Sequence, residues 1–362
     1  MGMGRARRKK AVEFGMQFFP DVGPEQKSGQ QYFDECLKLV ELCDPDGWGH
    51  VRTVEHYFTP YGGYSPNPLL FLTAAAQRTK RARLITGAVL PIFNHPLKLA
   101  GEIGMLDAIS GGRLEVGFAR AFLPHEFARF GVTLDESRER FTEGMEQVRL
   151  LLEQENVTCD GKFHSFRNVT SLPRPTRKPR PPFWVAAIAT PQSFIDTGKA
   201  GHAIMAIPMA GGAMKELIGL YRKAWREAGH AGNGEVMLAF HLFCHDNRDT
   251  AWQIARDPLN RYLRSLVDAA SDWAGMQSKD YPGYDKIIDA LSRETIETQV
   301  KSGAAWIGTP DDIAKQIDDY VARVGGFESA SLQVNFNTLA YGEAARSAKL
   351  FATKVLPRFL KA

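Results

Sequence analysis

The chain lacks most of the features that assign a protein quickly. Its 362 residues hold four cysteines, Cys36, Cys43, Cys159 and Cys244, none in C-x-x-C spacing. A zinc ribbon or a disulfide scaffold is therefore not expected, and no metal site is. Cys36 and Cys43 lie seven apart in a helical pattern and read as small core residues. A reducing cytoplasm suits them best. No apolar run is long enough to span a bilayer, and the first ten residues lack the apolar stretch of a secretory signal. No G-x-G-x-x-G follows the first strand-like segment, which argues against a dinucleotide-binding domain.

Positive charge is scarce once the start of the chain is set aside. The formal net charge is +4, and it becomes −1 without Arg5, Arg7, Arg8, Lys9 and Lys10. Residues 1–11 thus read as a flexible basic tail on a nearly neutral body, so nucleic acid is not an expected partner. A hydrophobic fraction of 44% and a charged fraction of 24% are ordinary for a globular protein.

What is present is alternation. Val12, Phe14, Met16 and Phe18 recur with period two, the signature of a strand. Residues 31–42 then have helical spacing. The same alternation gives strands over 83–90, 114–118, 183–187, 202–207, 236–243 and 332–336. Helices are expected over 97–109, 137–153, from Pro191, over 214–228 and at the C-terminal end. Strands alternating with helices over the whole length imply a parallel sheet, and about eight of them imply a (β/α)8 TIM barrel spanning 12–362 as a single domain. The Pro-rich connector 173–182 separates two halves of that barrel. Residues 272–303 break the alternation, and their aromatics (Trp273, Tyr281, Tyr284) favour an inserted lid.

Catalytic groups of such barrels sit at strand C-termini. Glu55-His56-Tyr57-Phe58 closes a βα-type segment there, and a histidine in that place can exchange protons near neutral pH. Arg120 ends the fourth strand, Arg138 opens the long helix, and Thr190-Pro191 has the form of a helix N-cap followed by proline. A helix N-terminus with two arginines makes an anion site. Thr86-Gly87-Ala88-Val89-Leu90 offers small side chains that let a flat ring approach the backbone. On the last strand, Gln333 and Asn335 are expected to point inward.

With these blocks in order, the chain resembles the bacterial-luciferase-like flavin monooxygenases over nearly its whole length. The family's Glu-His-His-Phe run is read here as Glu55-His56-Tyr57-Phe58. The blocks 84–96, 106–120 and 130–141 match in order and spacing. The resemblance implies that His56, beside Tyr57, is the catalytic histidine. It also implies that Arg120 and Arg138 hold the phosphate of flavin mononucleotide (FMN), and that Gly87-Ala88 is a cis peptide under the flavin ring. Ala119 stands where the luciferase α subunit has a reactive cysteine. Tyr57 replaces a histidine, and Ile188-Ala189, after Ala187, replaces a Glu-Ser pair near the phosphate, leaving backbone amides, Thr190, Gln192 or Ser193 to compensate.

The implied activity is oxidation of a small or carrier-bound organic substrate by O2 and reduced FMN, through a flavin hydroperoxide shielded from water. Phe19, Tyr57, Phe58 and the lid are the expected apolar wall. With no pyridine-nucleotide motif, a separate flavin reductase is the expected partner. A homodimer is expected as well, and residues 278–284 resemble a natural-product biosynthesis subgroup. The alternatives are a deazaflavin-dependent reductase or dehydrogenase of the same fold, and a non-catalytic flavin-binding partner subunit.

Overall fold

A computed structural model describes residues 12–208 and 213–360. The basic tail lies outside the described residues. Strands β1 (Glu13–Phe18), β2 (His50–Thr53), β3 (Arg83–Thr86) and β4 (Leu114–Phe118) run side by side in parallel. A small antiparallel hairpin, β5 (Val157–Asp160) and β6 (Ser165–Val169), stands apart. The ladder resumes with β7 (Phe183–Ala187), β8 (Ala203–Ala206) and β9 (Val236–Cys244). Strand β10 (Ala305–Gly308) pairs with the C-terminal half of β9, and β11 (Ser329–Gln333) lies between β9 and β1. The β8–β9 pairing closes eight strands into a (β/α)8 barrel, with β10 as an addition.

Period-two alternation sorts the side chains of each strand. On β1, Phe14 and Phe18 point out to the helices, meeting Phe351 at 5.3 Å and Phe71 at 5.4 Å between ring centroids. Glu13, Gly15 and Gln17 point into the lumen, and neighbours in register share that face: Gln17 opposes Arg52, and Arg52 opposes Ile85. Gly15 is obligatory here, since a Cβ would lie 2.2 Å from the buried His50 ring. The lumen is layered. At its N-terminal end Arg83 binds Glu13 (2.6 Å) and Glu115 (2.8 Å), while His50 Nδ1 lies 2.9 Å from Glu13. Above that, Ile85, Trp184, Met205 and Met237 form an apolar cluster separate from the core under the helices. The cavity described below opens above both.

Most expected elements occur close to their expected bounds, with two corrections. The last strand is Ser329–Gln333 rather than 332–336. Val334 and Phe336 stay fully buried in the loop beyond it, so their alternation reports burial without pairing. The third strand stops at Thr86, and only Val89 bridges again, to Phe118. Elements not foreseen include the helix Pro68–Arg78, the short helix Pro124–Phe130, the β5/β6 hairpin, the 23-residue helix Arg248–Ala270, strand β10, and the helix Pro310–Val324 with its Thr309/Asp312 capping box. Cys36 and Cys43 are buried in the outer core. No helix of the described residues is long and apolar enough to cross a membrane.

The charged layer should dominate the acid response. Burial pushes the Glu13 carboxyl up, but His50 and Arg83 overcome it and hold it at about 2, below the ordinary 4.5. A depressed acid contributes stability that is present above pH 4.5 and decays as pH falls toward 2. Arg83→Met leaves Glu115 buried without its main counter-charge and should cost about 3 kcal/mol at pH 7. Urea unfolding should show that gap narrowing toward pH 3. Equal midpoints at pH 7, or a gap constant with pH, would contradict this reading.

Candidate active site

One cavity of ≈ 240 Å³ occupies the C-terminal mouth of the barrel. The loop after β2 delivers His56 to its wall. Phe19, Tyr61 and Phe122 surround the imidazole with ring centroids at 5.5, 5.5 and 6.0 Å. Its Nδ1 lies 3.0 Å from Oε1 of Glu126, which is fully buried on the short helix Pro124–Phe130. The same oxygen accepts the Tyr57 N–H at 2.9 Å. A carboxylate that takes Nδ1–H fixes the ring and leaves Nε2 as the proton-accepting atom. Nothing in the sequence ties Glu126 to a histidine 70 positions away.

Glu55 is structural in geometry. It accepts from Leu90 N (3.0 Å), Asn94 Nδ2 (2.9 Å) and Tyr57 Oη (2.5 Å), so it ties the end of β2 to the loop after β3. Burial raises its pKa to about 7 despite those three donors. The bond to Glu55 also turns Tyr57 away from the cavity, toward Phe130 and Phe93 (centroids 4.7 and 6.2 Å). Phe58 is 53% exposed. Neither aromatic lines the cavity, whereas Phe19 does. Gln333 turns inward but donates to Phe19 O, and Asn335 reaches out to Cys36 Sγ at 3.1 Å; neither touches the cavity.

A slot of small residues forms part of the cavity lining: Gly87, Ala88, Ala119, Ala121, Ala187 and Ala206. The Gly87–Ala88 peptide is cis. Beyond the slot lie Arg120, Ile188, Thr190 and Ser193. Thr190 precedes the helix Pro191–Lys199 without capping it through its side chain, so the first amides have no side-chain acceptor. Ala189 and Gln192 do not line the cavity; Gln192 bonds Asp196 instead.

Arg138 lies outside the cavity as well, and a carboxylate from the expected lid is bonded to it. Asp280 accepts from Arg138 N (3.0 Å) and Ser137 Oγ (3.2 Å), and its Oδ1 lies 3.7 Å from Arg138 Nε. Arg120 donates to the Asp280 carbonyl at 3.2 Å and stacks on Tyr281 at 4.7 Å. Tyr281, Tyr284 and Leu291 from 272–303 then cover the cavity, with Tyr262 and Leu266 from the long helix beside them. Trp273 pins that cover by donating to Phe122 O at 2.7 Å.

The barrel thus presents a histidine paired with a buried carboxylate, and an arginine, at one cavity. The family pattern of luciferase-like monooxygenases fits residues 12–326. The chain belongs to the luciferase-like monooxygenase family. It is similar to the oxygenase component of a flavin-dependent trigonelline monooxygenase from Acinetobacter baylyi, 32% identical over 240 residues. That alignment covers 65% of this chain and 66% of the relative. It is similar also to 4-hydroxyprotoasukamycin monooxygenase of Streptomyces nodosus subsp. asukaensis, 27% identical over 332 residues covering 89% and 86%. Among solved structures, monooxygenase RslO1 from Streptomyces bottropensis superposes with a TM-score of 0.86 at 42% identity, covering 96% of this chain and 100% of that one.

The slot in this family member has little room at its base, where the Arg52 side chain would have to shift for any added bulk. A Cβ on Gly87 would lie 1.9 Å from Arg52 Nε, inside the closed lumen. Gly87→Ala should therefore lower stability by ~2 kcal/mol through overpacking, read by urea unfolding. A change within 0.5 kcal/mol would show that the lumen yields.

Proposed function

We propose that this protein is the oxygenase component of a two-component monooxygenase, using reduced FMN and O2 to oxidise a small or carrier-bound organic substrate. The observation that carries the reading is the joining of the His56–Glu126 pair and the Arg120/Thr190/Ser193 end by one slot of small residues. The residues present fit the cofactor. A phosphate suits Arg120 and the uncapped helix N-terminus at Thr190, and a planar ring suits the alanine and glycine slot. Reduced flavin would supply the electrons that activate O2.

This chain's own residues do the rest. Glu126 holds Nδ1–H of His56, and Nε2 takes the substrate's or cofactor's proton as general base. Phe19, Phe122, Tyr281 and Tyr284 keep water from the reacting atoms, which protects reactive oxygen species from wasteful release. The segment 272–303 acts as the lid, and Asp280 occupies donors that a phosphate would use. Reduced flavin comes from a separate reductase, and the working protein is a cytoplasmic homodimer.

The direct test is O2 consumption with photoreduced FMN across a substrate panel, with product mass analysis. The reading predicts a product carrying one atom of oxygen from O2. Rapid oxidation of NADH or NADPH by the protein alone, or preference for reduced deazaflavin over FMN, would sink it. His56→Ala should keep FMN binding while product formation falls at least about 10²-fold, and unchanged product would remove His56 from the chemistry. Asp280→Ala should tighten FMN binding, since the carboxylate no longer competes with phosphate. Calorimetry showing equal or weaker affinity would show that Asp280 and phosphate do not share donors.

A further inference from the structure

We infer that Arg52, on the floor of the cavity, is an anion-binding residue that makes the protein prefer reduced over oxidised flavin. The inference rests on the flavin reading above. Arg52 points inward from β2 and lines the cavity beside Gln17, Gly87 and Met205. It is 8% exposed. Its Nη1 donates to Gln17 Oε1 and its Nη2 to Gly87 O at 2.8 Å, with Met205 Sδ at 3.6 Å. These acceptors are all neutral. Nε is buried with no partner among the described residues, and no carboxylate is paired with the guanidinium there. Burial presses its pKa down to about 10, so it is still a cation at neutral pH.

A buried charge without a counter-charge is costly, and structures keep one where a ligand supplies the opposite sign. The other lumenal arginine shows the contrast: Arg83 has Glu13, Glu115 and Glu235 around it. Arg52 instead faces the cavity, whose lining includes the small residues Gly87 and Ala88. Oxidised flavin is neutral in its ring system. Reduced flavin, once N1 has lost its proton, spreads a negative charge over N1 and the C2 carbonyl. That planar pair of acceptors matches the guanidinium fork, and a charge near N1 tunes flavin electronics. An oxygenase that must take its cofactor in the reduced form gains selectivity from such a charge.

The test titrates wild type, Arg52→Met and Arg52→Lys anaerobically with oxidised and with photoreduced FMN, and measures the midpoint potential of bound FMN. Wild type should bind the reduced form more tightly. In R52M the ratio of affinities should fall at least tenfold through the reduced form alone, lowering the two-electron potential by about 30 mV. R52K, which keeps the charge, should keep most of the preference. An unchanged ratio in R52M overturns the inference and leaves the flavin reading standing. So does an R52M that keeps the ratio but loses substrate binding, for the anion then belongs to substrate. If R52M binds neither form, R52K decides: a ratio kept supports the inference, and a ratio lost with oxidised FMN still bound overturns it. If wild type itself binds FMN in neither form, the flavin reading falls and takes the inference with it.

Discussion

Closing a parallel sheet on itself forces every second side chain of each strand into one lumen, and this chain fills that lumen with charge. The N-terminal end is neutralised internally, by Arg83 among Glu13, Glu115 and Glu235. The C-terminal end carries Arg52 and Arg120 with Glu55 in the same cavity lining, and no carboxylate is paired with Arg52 among the described residues. A charge-balanced base and a mouth whose Arg52 has no paired carboxylate divide the barrel along its axis. Barrel enzymes commonly divide stability and chemistry along the same axis.

The His56–Glu126 pair belongs to the working half, and its order depends on neighbours that do not touch the cavity. Glu126 is fixed by Tyr57 N, and Tyr57 in turn by Glu55, which also ties down the loop carrying Leu90. One stretch of four residues thus supplies the cavity imidazole, a contact that holds its carboxylate partner, and an anchor to the next loop. The lid adds a third party. The Asp280 carboxylate accepts from the first turn of the helix Ser137–Glu153 and its backbone carbonyl accepts from Arg120, so the segment 272–303 is tied to both arginines.

Much of this was legible in the sequence because period-two and period-3.6 patterns survive wherever one face is apolar. Strand β1, the stretch 114–118 and the helix 137–153 are where the spacing puts them. Legibility failed where burial and pairing part company, as at Val334 and Phe336, which alternate without a ladder. It failed also where the polar face is the inner one. His50-Val51-Arg52-Thr53 reads only as part of a βα-type segment, yet all four residues are buried and Arg52 lines the cavity. Inverted alternation at a strand leading into Glu55-His56 was the available signal. Glu126 left no comparable trace, since its partner lies on another loop. Arg138 was read from its place in the chain, which says nothing of a lid residue 142 positions later that claims its amide.

The central claim is that His56, Arg52 and Arg120 face one bound cofactor in a single cavity. A crystal structure of the protein soaked with FMN tests it most directly. The account predicts phosphate density against Arg120 and the Thr190–Ser193 turn, with the ring over Ala88 between His56 and Arg52. Phosphate density away from Arg120, or a ring lying outside the barrel mouth, would contradict it.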